Sequence, residues 1–166
     1  MAATTSPSEV LLKKGDTIAV AESLTGGLVC ATLVQVPGIS EILRGGVVSY
    51  TNEIKAHVLD VDRDLLNREG PVNGQVAVQM ARGVAELTGA AHTVSTTGVA
   101  GPGPADGFDA GTVWIGREDG RATLFLFPGG REDIRESSVL AALHILAEME
   151  LPEKLAKFRQ KIETWK

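Results

Sequence analysis

Ser23, Tyr50 and Lys55 are a hydroxyl, a phenol and an amine that each follow a short apolar run, and together they could carry out acyl transfer. A lysine whose pKa is lowered by desolvation or by a nearby positive charge can take the proton of a serine, and the serine can then attack an acyl carbon. Tyr50 and Lys55 are five residues apart, which on a single helix would set them about 140° from each other. Tyr50 is therefore expected to end a strand and Lys55 to lie one turn into the following helix, with both side chains facing the pocket beside Ser23. The competing expectation is that Lys55 is a solvated surface lysine, the usual state of a lone lysine.

A second set of residues could hold an anionic or polar ligand. Glu22, Thr25, Gly26 and Gly27 surround Ser23 at a strand-to-helix turn, where glycines leave backbone N–H groups open to a ligand. Equally, Glu22, Ser23 and Thr25 could simply cap the helix, Thr25 being a suitable N-cap. Thr97, Gly98 and Gly101 open a glycine and proline loop that could form an anion nest or supply oxyanion-hole N–H groups, or could be only a connector. The loop is neither a Walker A loop nor a dinucleotide fingerprint, because no Lys-Ser or Lys-Thr follows its last glycine and the order is G-x-x-G-x-G. Arg131 and Arg135 stand one turn apart near a helix start, where cations oppose the helix dipole; either an anionic ligand or Glu132, Asp133 and Glu136 would balance them.

The elements that must position these groups follow from periodicity. Residues 17–21 form an apolar run suited to a strand buried on both faces, and residues 28–33 continue as a helix. Ahead of them, Ser6, Pro7 and Glu9 form a capped helix start that Gly15 ends. Residues 46–50 predict a second strand, and Thr51-Asn52 cap a helix with Ile54 and Val58 on one face and Lys55 off it. Asn73 caps a helix ending at Gly89, with Val76, Met80, Val84 and Leu87 along one stripe. A strand over 90–97, the long loop, and a hairpin over 112–116 and 122–127 turning at Asp119-Gly120 come next. Residues 131–146 form a helix with Ile134, Ser138, Ala141 and Ile145 on one face. From Pro152 a last helix is expected to carry Leu155, Phe158, Ile162 and Trp165, a stripe that docks on the body or meets another subunit. This order predicts a single α/β domain over residues 1–166: a three-layer α/β/α sandwich with a mixed, mostly parallel sheet and one antiparallel hairpin. In such sheets ligands bind beyond the carboxyl ends of the strands, where all the groups named above fall.

Composition narrows the class. With 43% hydrophobic and 22% charged residues, the chain is globular rather than disordered. A net charge of −5 argues against unaided nucleic-acid binding, so any phosphate must be met by local donors. Cys30 is the single cysteine, and no Cys or His spacing suggests a metal site; Cys30 is expected as a small core residue, and His57, His92 and His144 are assigned no role. Residues 1–6 hold no apolar run of leader or membrane length, which places the protein in the cytoplasm, away from membranes.

Taken together, Ala21-Glu22-Ser23-Leu24-Thr25-Gly26-Gly27, Gly46-Val47-Val48-Ser49-Tyr50 followed by Thr51-Asn52-Glu53-Ile54-Lys55, Thr97-Gly98-Val99-Ala100-Gly101-Pro102, Gly111-Thr112-Val113 and Gly130-Arg131-Glu132-Asp133-Ile134-Arg135 resemble the CinA C-terminal domain family. This is the family of PncC-type nicotinamide-nucleotide amidohydrolases, or NMN deamidases, and the stand-alone form is expected. The resemblance implies hydrolysis of the carboxamide of nicotinamide mononucleotide to nicotinate mononucleotide and ammonia, without a metal or other cofactor. It maps Ser23 to the nucleophile, Lys55 and Tyr50 to its activating partners, and Thr97 with Arg131 or Arg135 to substrate-holding positions. It further implies a homo-oligomer with a small-molecule nucleotide as its partner. Two departures stand out: Asp109 replaces a lysine usual in the family, within an altered loop over 103–111, and Asn73 replaces a serine. The altered loop leaves a second possibility, a catalytically inactive nucleotide-binding or regulatory module of the same fold.

Overall fold

The computed structural model describes residues 5–166; residues 1–4, and with them part of the segment expected to hold no leader, lie outside the described residues. One six-stranded sheet organises the chain, in the order β2-β1-β3-β4-β5-β6. Its strands are β1 Ile18–Glu22, β2 Leu43–Val48, β3 His92–Gly98, β4 Thr112–Arg117, β5 Arg121–Leu126 and β6 Arg159–Thr164. The helices are α1 Pro7–Lys14, α2 Leu28–Val34, α3 Asn52–Leu59, α4 Arg63–Glu69, α5 Gly74–Thr88, α6 Arg131–Ala147 and α7 Glu153–Ala156. The layered mixed sheet matches expectation, while its antiparallel part is larger than one hairpin. β2 and β3 flank β1 in parallel, and the β3–β4, β4–β5 and β5–β6 pairings are antiparallel, so two pairings of five are parallel rather than most.

β1 is buried throughout because helices cover both of its faces. Ile18 and Val20 join the core under α1, α2 and α6, and Ala19 and Ala21 join the core under α3, α4 and α5. The small side chains on the second face let α5 lie close, with Val76, Met80 and Val84 fully buried. Leu87, expected on the same stripe, is 58% exposed. Capping follows the sequence signals: Ser6 and Glu9 form a reciprocal box at α1, and Asn73 Oδ1 accepts the Val76 N–H at 2.8 Å at the start of α5. α4 is an element the periodicity did not suggest; Asp62 caps it and it buries Leu65 and Leu66.

The C-terminal segment corrects the expected last helix. Only Glu153–Ala156 is helical, and Arg159–Thr164 pairs antiparallel with β5 as an edge strand. An unpaired β5 would expose a row of N–H and C=O groups, and β6 satisfies them. The stripe accordingly dissolves. Leu155 and Phe158 pack on the main core, the Trp165 ring packs against the Trp114 ring, and Ile162 is 54% exposed.

Candidate active site

β1 ends at Glu22, and the next residue, Ser23, lies in a turn between the ends of β2 and β3, held there by its N–H donating to Thr96 O at 3.0 Å. That bond occupies Ser23's own amide, so an oxyanion donor would have to come from another residue. α3 brings Lys55 to the same point: its Nζ is 2.8 Å from Ser23 Oγ, 2.8 Å from Ser49 O and 3.2 Å from Tyr50 O. Lys55 is 1% exposed, so the surface-lysine expectation fails. α3 thus buries Lys55 and Leu59, four residues apart, and leaves Ile54 38% exposed, the reverse of the face its apolar residues suggested.

Burial pushes the Lys55 amine down from its ordinary 10.5 to about 8, against an opposing pull from the Asp106 carboxylate. The hydrogen bonds specify what the neutral form would do. Two carbonyls take its two N–H groups, which directs the remaining lone pair at Ser23 Oγ, the geometry of a general base beside a nucleophile.

Tyr50 contributes differently from expectation. Its carbonyl binds Lys55, and its phenol is 61% exposed at the rim, accepting from Arg131 Nη2 at 3.4 Å rather than meeting Ser23. The strand ends before Tyr50, so the side chain swings outward. Arg131, at the first turn of α6, also donates to Gly101 O and so spans the cleft from Tyr50 to the loop after β3. The cleft has a volume of about 210 Å³ and is lined by Ser23, Tyr50, Lys55, Pro71, Thr97, the loop from Gly98 to Asp106, and Arg131. Thr97 Oγ1 donates to Pro71 O at 2.8 Å, and Gly98 is held against β4, where a Cβ would meet Thr112 O at 2.4 Å. This volume is below the about 300–1,000 Å³ typical of sites that enclose whole ligands, so a drug-sized ligand would place only one end inside.

Beyond Ser23 and Leu24, the turn does not line the cleft. Both Glu22 oxygens are used, Oε1 accepting the Val29 N–H at 2.8 Å and Oε2 the Cys30 N–H at 3.1 Å. The open helix start expected to receive an anion is therefore already filled by this chain's own carboxylate. Thr25 is buried, its hydroxyl 2.8 Å from that of Thr96, and Gly26 and Gly27 take positive φ to turn the chain into α2 without lining the cleft. Arg135 is likewise spent: Nε donates to Leu24 O at 3.1 Å and Nη2 to Thr25 O at 3.0 Å. Of the two arginines, Arg131 lines the cleft and Arg135 braces the turn after β1.

Asp106 was not among the expected site residues, yet it lines the cleft and acts on Lys55. The available signal was its Asp-Gly step, which has the same turn chemistry as Asp119-Gly120. Asp109, the residue at the departure from the family pattern, instead lines a separate groove of about 930 Å³ with Phe108, Trp114 and Trp165, away from Ser23 and Lys55.

Fold and site define a class: an α/β sandwich with a buried Ser–Lys pair at the carboxyl ends of its parallel strands. The chain belongs to the CinA C-terminal domain family, which it matches over residues 2–150; β6 lies beyond the matched residues. A CinA-like protein of Frankia casuarinae is 45% identical over 143 residues, covering 84% of this chain and 33% of the relative. A putative competence-damage inducible protein of Bacillus subtilis is 40% identical over 140 residues, covering 82% of this chain and 34% of the relative. The chain thus spans about a third of the length of these curated relatives. Among solved structures, a competence-damaged protein (CinA) superfamily protein of Klebsiella pneumoniae superposes with a TM-score of 0.79 at 30% identity, covering 86% of this chain and 91% of that one. The competence/damage inducible protein CihA of Agrobacterium tumefaciens gives 0.77 at 30% identity, covering 89% and 98%.

Proposed function

We propose that this chain is an amidohydrolase that deamidates nicotinamide mononucleotide in the cytoplasm through Ser23. The observation that carries the proposal is the 2.8 Å contact between Ser23 Oγ and a buried Lys55 Nζ whose other two bonds go to carbonyls. In this reading Ser23 Oγ attacks the carboxamide carbon as Lys55 takes its proton. Lys55 returns that proton to the departing nitrogen, the C–N bond breaks, and ammonia leaves an ester on Ser23. Water, deprotonated by the same amine, then hydrolyses the ester and releases nicotinate mononucleotide. Arg131, at the cleft rim, is placed to meet the phosphate that a cleft of this volume leaves outside. Tyr50 acts through its carbonyl on Lys55, and Thr97, Gly98 and Gly101 form the wall against which the pyridine would lie.

No metal or other cofactor enters this scheme, and the only partners it involves are the nucleotide and other copies of the chain. Among the described residues no helix is long and apolar enough to cross a membrane. Ammonia release on mixing the purified protein with nicotinamide mononucleotide tests the proposal, with Ser23→Ala as the control that should release none. Tight binding of the nucleotide without turnover would replace the enzyme with a binding module.

A further inference from the structure

We infer that Asp106 is the specificity-determining residue of this cleft, selecting an uncharged carboxamide by accepting its N–H and excluding the carboxylate that hydrolysis leaves behind. The inference rests on the deamidation reading and adds to it a means of telling substrate from product. The two differ only in that an amide becomes an anion at the atoms nearest Ser23.

Three observations support it. Asp106 is the one carboxylate among the residues lining the cleft, whose other titratable members are Tyr50, Lys55 and Arg131. Its charge reaches Lys55, where it counteracts the effect of burial. Lastly, the backbone sets this exposed residue at the cleft wall. Ala105 and Phe108 exchange N–H···O bonds of 3.0 and 2.9 Å, closing a two-residue turn in which Asp106 and Gly107 both have positive φ, 53° and 83°. Asp and Asn tolerate that conformation better than other side-chain-bearing residues, so the turn holds an acid at the cleft wall with little strain.

For attack, an acyl carbon must lie against Ser23 Oγ, which puts its remaining substituent among the groups around Lys55. Protonated Lys55 would attract a carboxylate there, and a site with that charge alone would hold its product. A carboxylate at the wall reverses that preference: it accepts from an NH2 group and repels an anion, discriminating through an unfavourable contact as much as a favourable one. The same carboxylate would accept an N–H of the departing ammonia.

The test compares wild type with Asp106→Asn, which keeps the positive-φ turn and the side-chain volume. In one arm, the inhibition constant of nicotinate mononucleotide is divided by the KM of nicotinamide mononucleotide. In the other, which needs no nucleotide, Ser23 is inactivated by benzenesulfonyl fluoride or by its 4-carboxy analogue, each forming an O–S bond with loss of fluoride, and the two rates are compared. Asp106→Asn is expected to lower both preferences for the uncharged partner by about tenfold, from the loss of a like-charge juxtaposition. Ratios equal to wild type, with the nucleotide still turned over, would overturn the role of Asp106 and leave the deamidase reading intact. A reagent ratio that collapses in a protein that binds neither mononucleotide would keep the charge selection and remove the nicotinamide reading.

Discussion

Two glycine-bearing loops leave the carboxyl ends of the neighbouring parallel strands β1 and β3, and they serve opposite ends. The turn after β1 is satisfied from within: Glu22 takes two amides of α2, Arg135 takes two carbonyls, and Thr25 meets Thr96. The loop after β3 turns its wall to the cleft, from Gly98 to Asp106, with Arg131 tied to it through Gly101. If Ser23 is the nucleophile proposed above, it must stay in place while its surroundings change charge, and internal bonds would keep it there. Substrate recognition needs groups whose partners arrive from outside. The difference teaches that glycine content and position after a strand locate a site without saying which of its loops will touch a ligand.

The largest effect should come from the Ser–Lys pair that the first turn supports. Lys55→Ala and Ser23→Ala are each expected to lower kcat by about 10³-fold or more in an ammonia-release assay. Lys55→Arg should not rescue, because a guanidinium stays protonated and cannot act as base. In wild type, kcat/KM should rise with pH through about 8 as Lys55 loses its proton. Stability should move the same way. The folded chain releases this proton at about 8 and the unfolded chain at about 10.5, so between those values the unfolded state binds more protons and stability grows with pH. A flat profile across pH 8 would remove Lys55 as the base.

Next in size is Glu22→Ala, which should cost about 3 kcal/mol of stability in urea unfolding by leaving the Val29 and Cys30 amides without their charged partner. If it instead weakened nucleotide binding with stability unchanged, the first turn would be a ligand loop and the contrast would collapse.

The arginines sharpen the contrast further. Arg131→Ala should cost about 1.5–3 kcal/mol in binding the mononucleotide and hardly affect the neutral riboside, so that the ratio of their specificity constants narrows. Arg135→Ala should lower stability and kcat for both while leaving that ratio alone, because its guanidinium holds Leu24 and Thr25 rather than solvent-facing space. An Arg135 effect confined to the mononucleotide would reverse the assignment. The smallest change is expected for Tyr50→Phe, about twofold in kcat/KM, since the phenol makes one long, exposed bond and the carbonyl that binds Lys55 is untouched.

Sequence alone determined what depends on neighbours in the chain. The apolar run of β1, the caps of α1 and α5, the Asp119-Gly120 turn and the placement of Ser23 and Lys55 after strands all arise from local periodicity and local hydrogen bonding, which residues a few positions apart can specify. Tertiary structure decided which partner each polar group took and which long-range edge each segment joined. Glu22 could have faced a ligand, Tyr50 could have faced Ser23, and either arginine could have faced the cleft; the choice depended on amides and carbonyls that β3, α2 and α6 brought near. The same holds for residues 153–165, where Leu155, Phe158, Ile162 and Trp165 fit a helix by spacing. Arg159–Thr164 of that segment became a strand because an open β5 edge offered a row of backbone hydrogen bonds that no local pattern records.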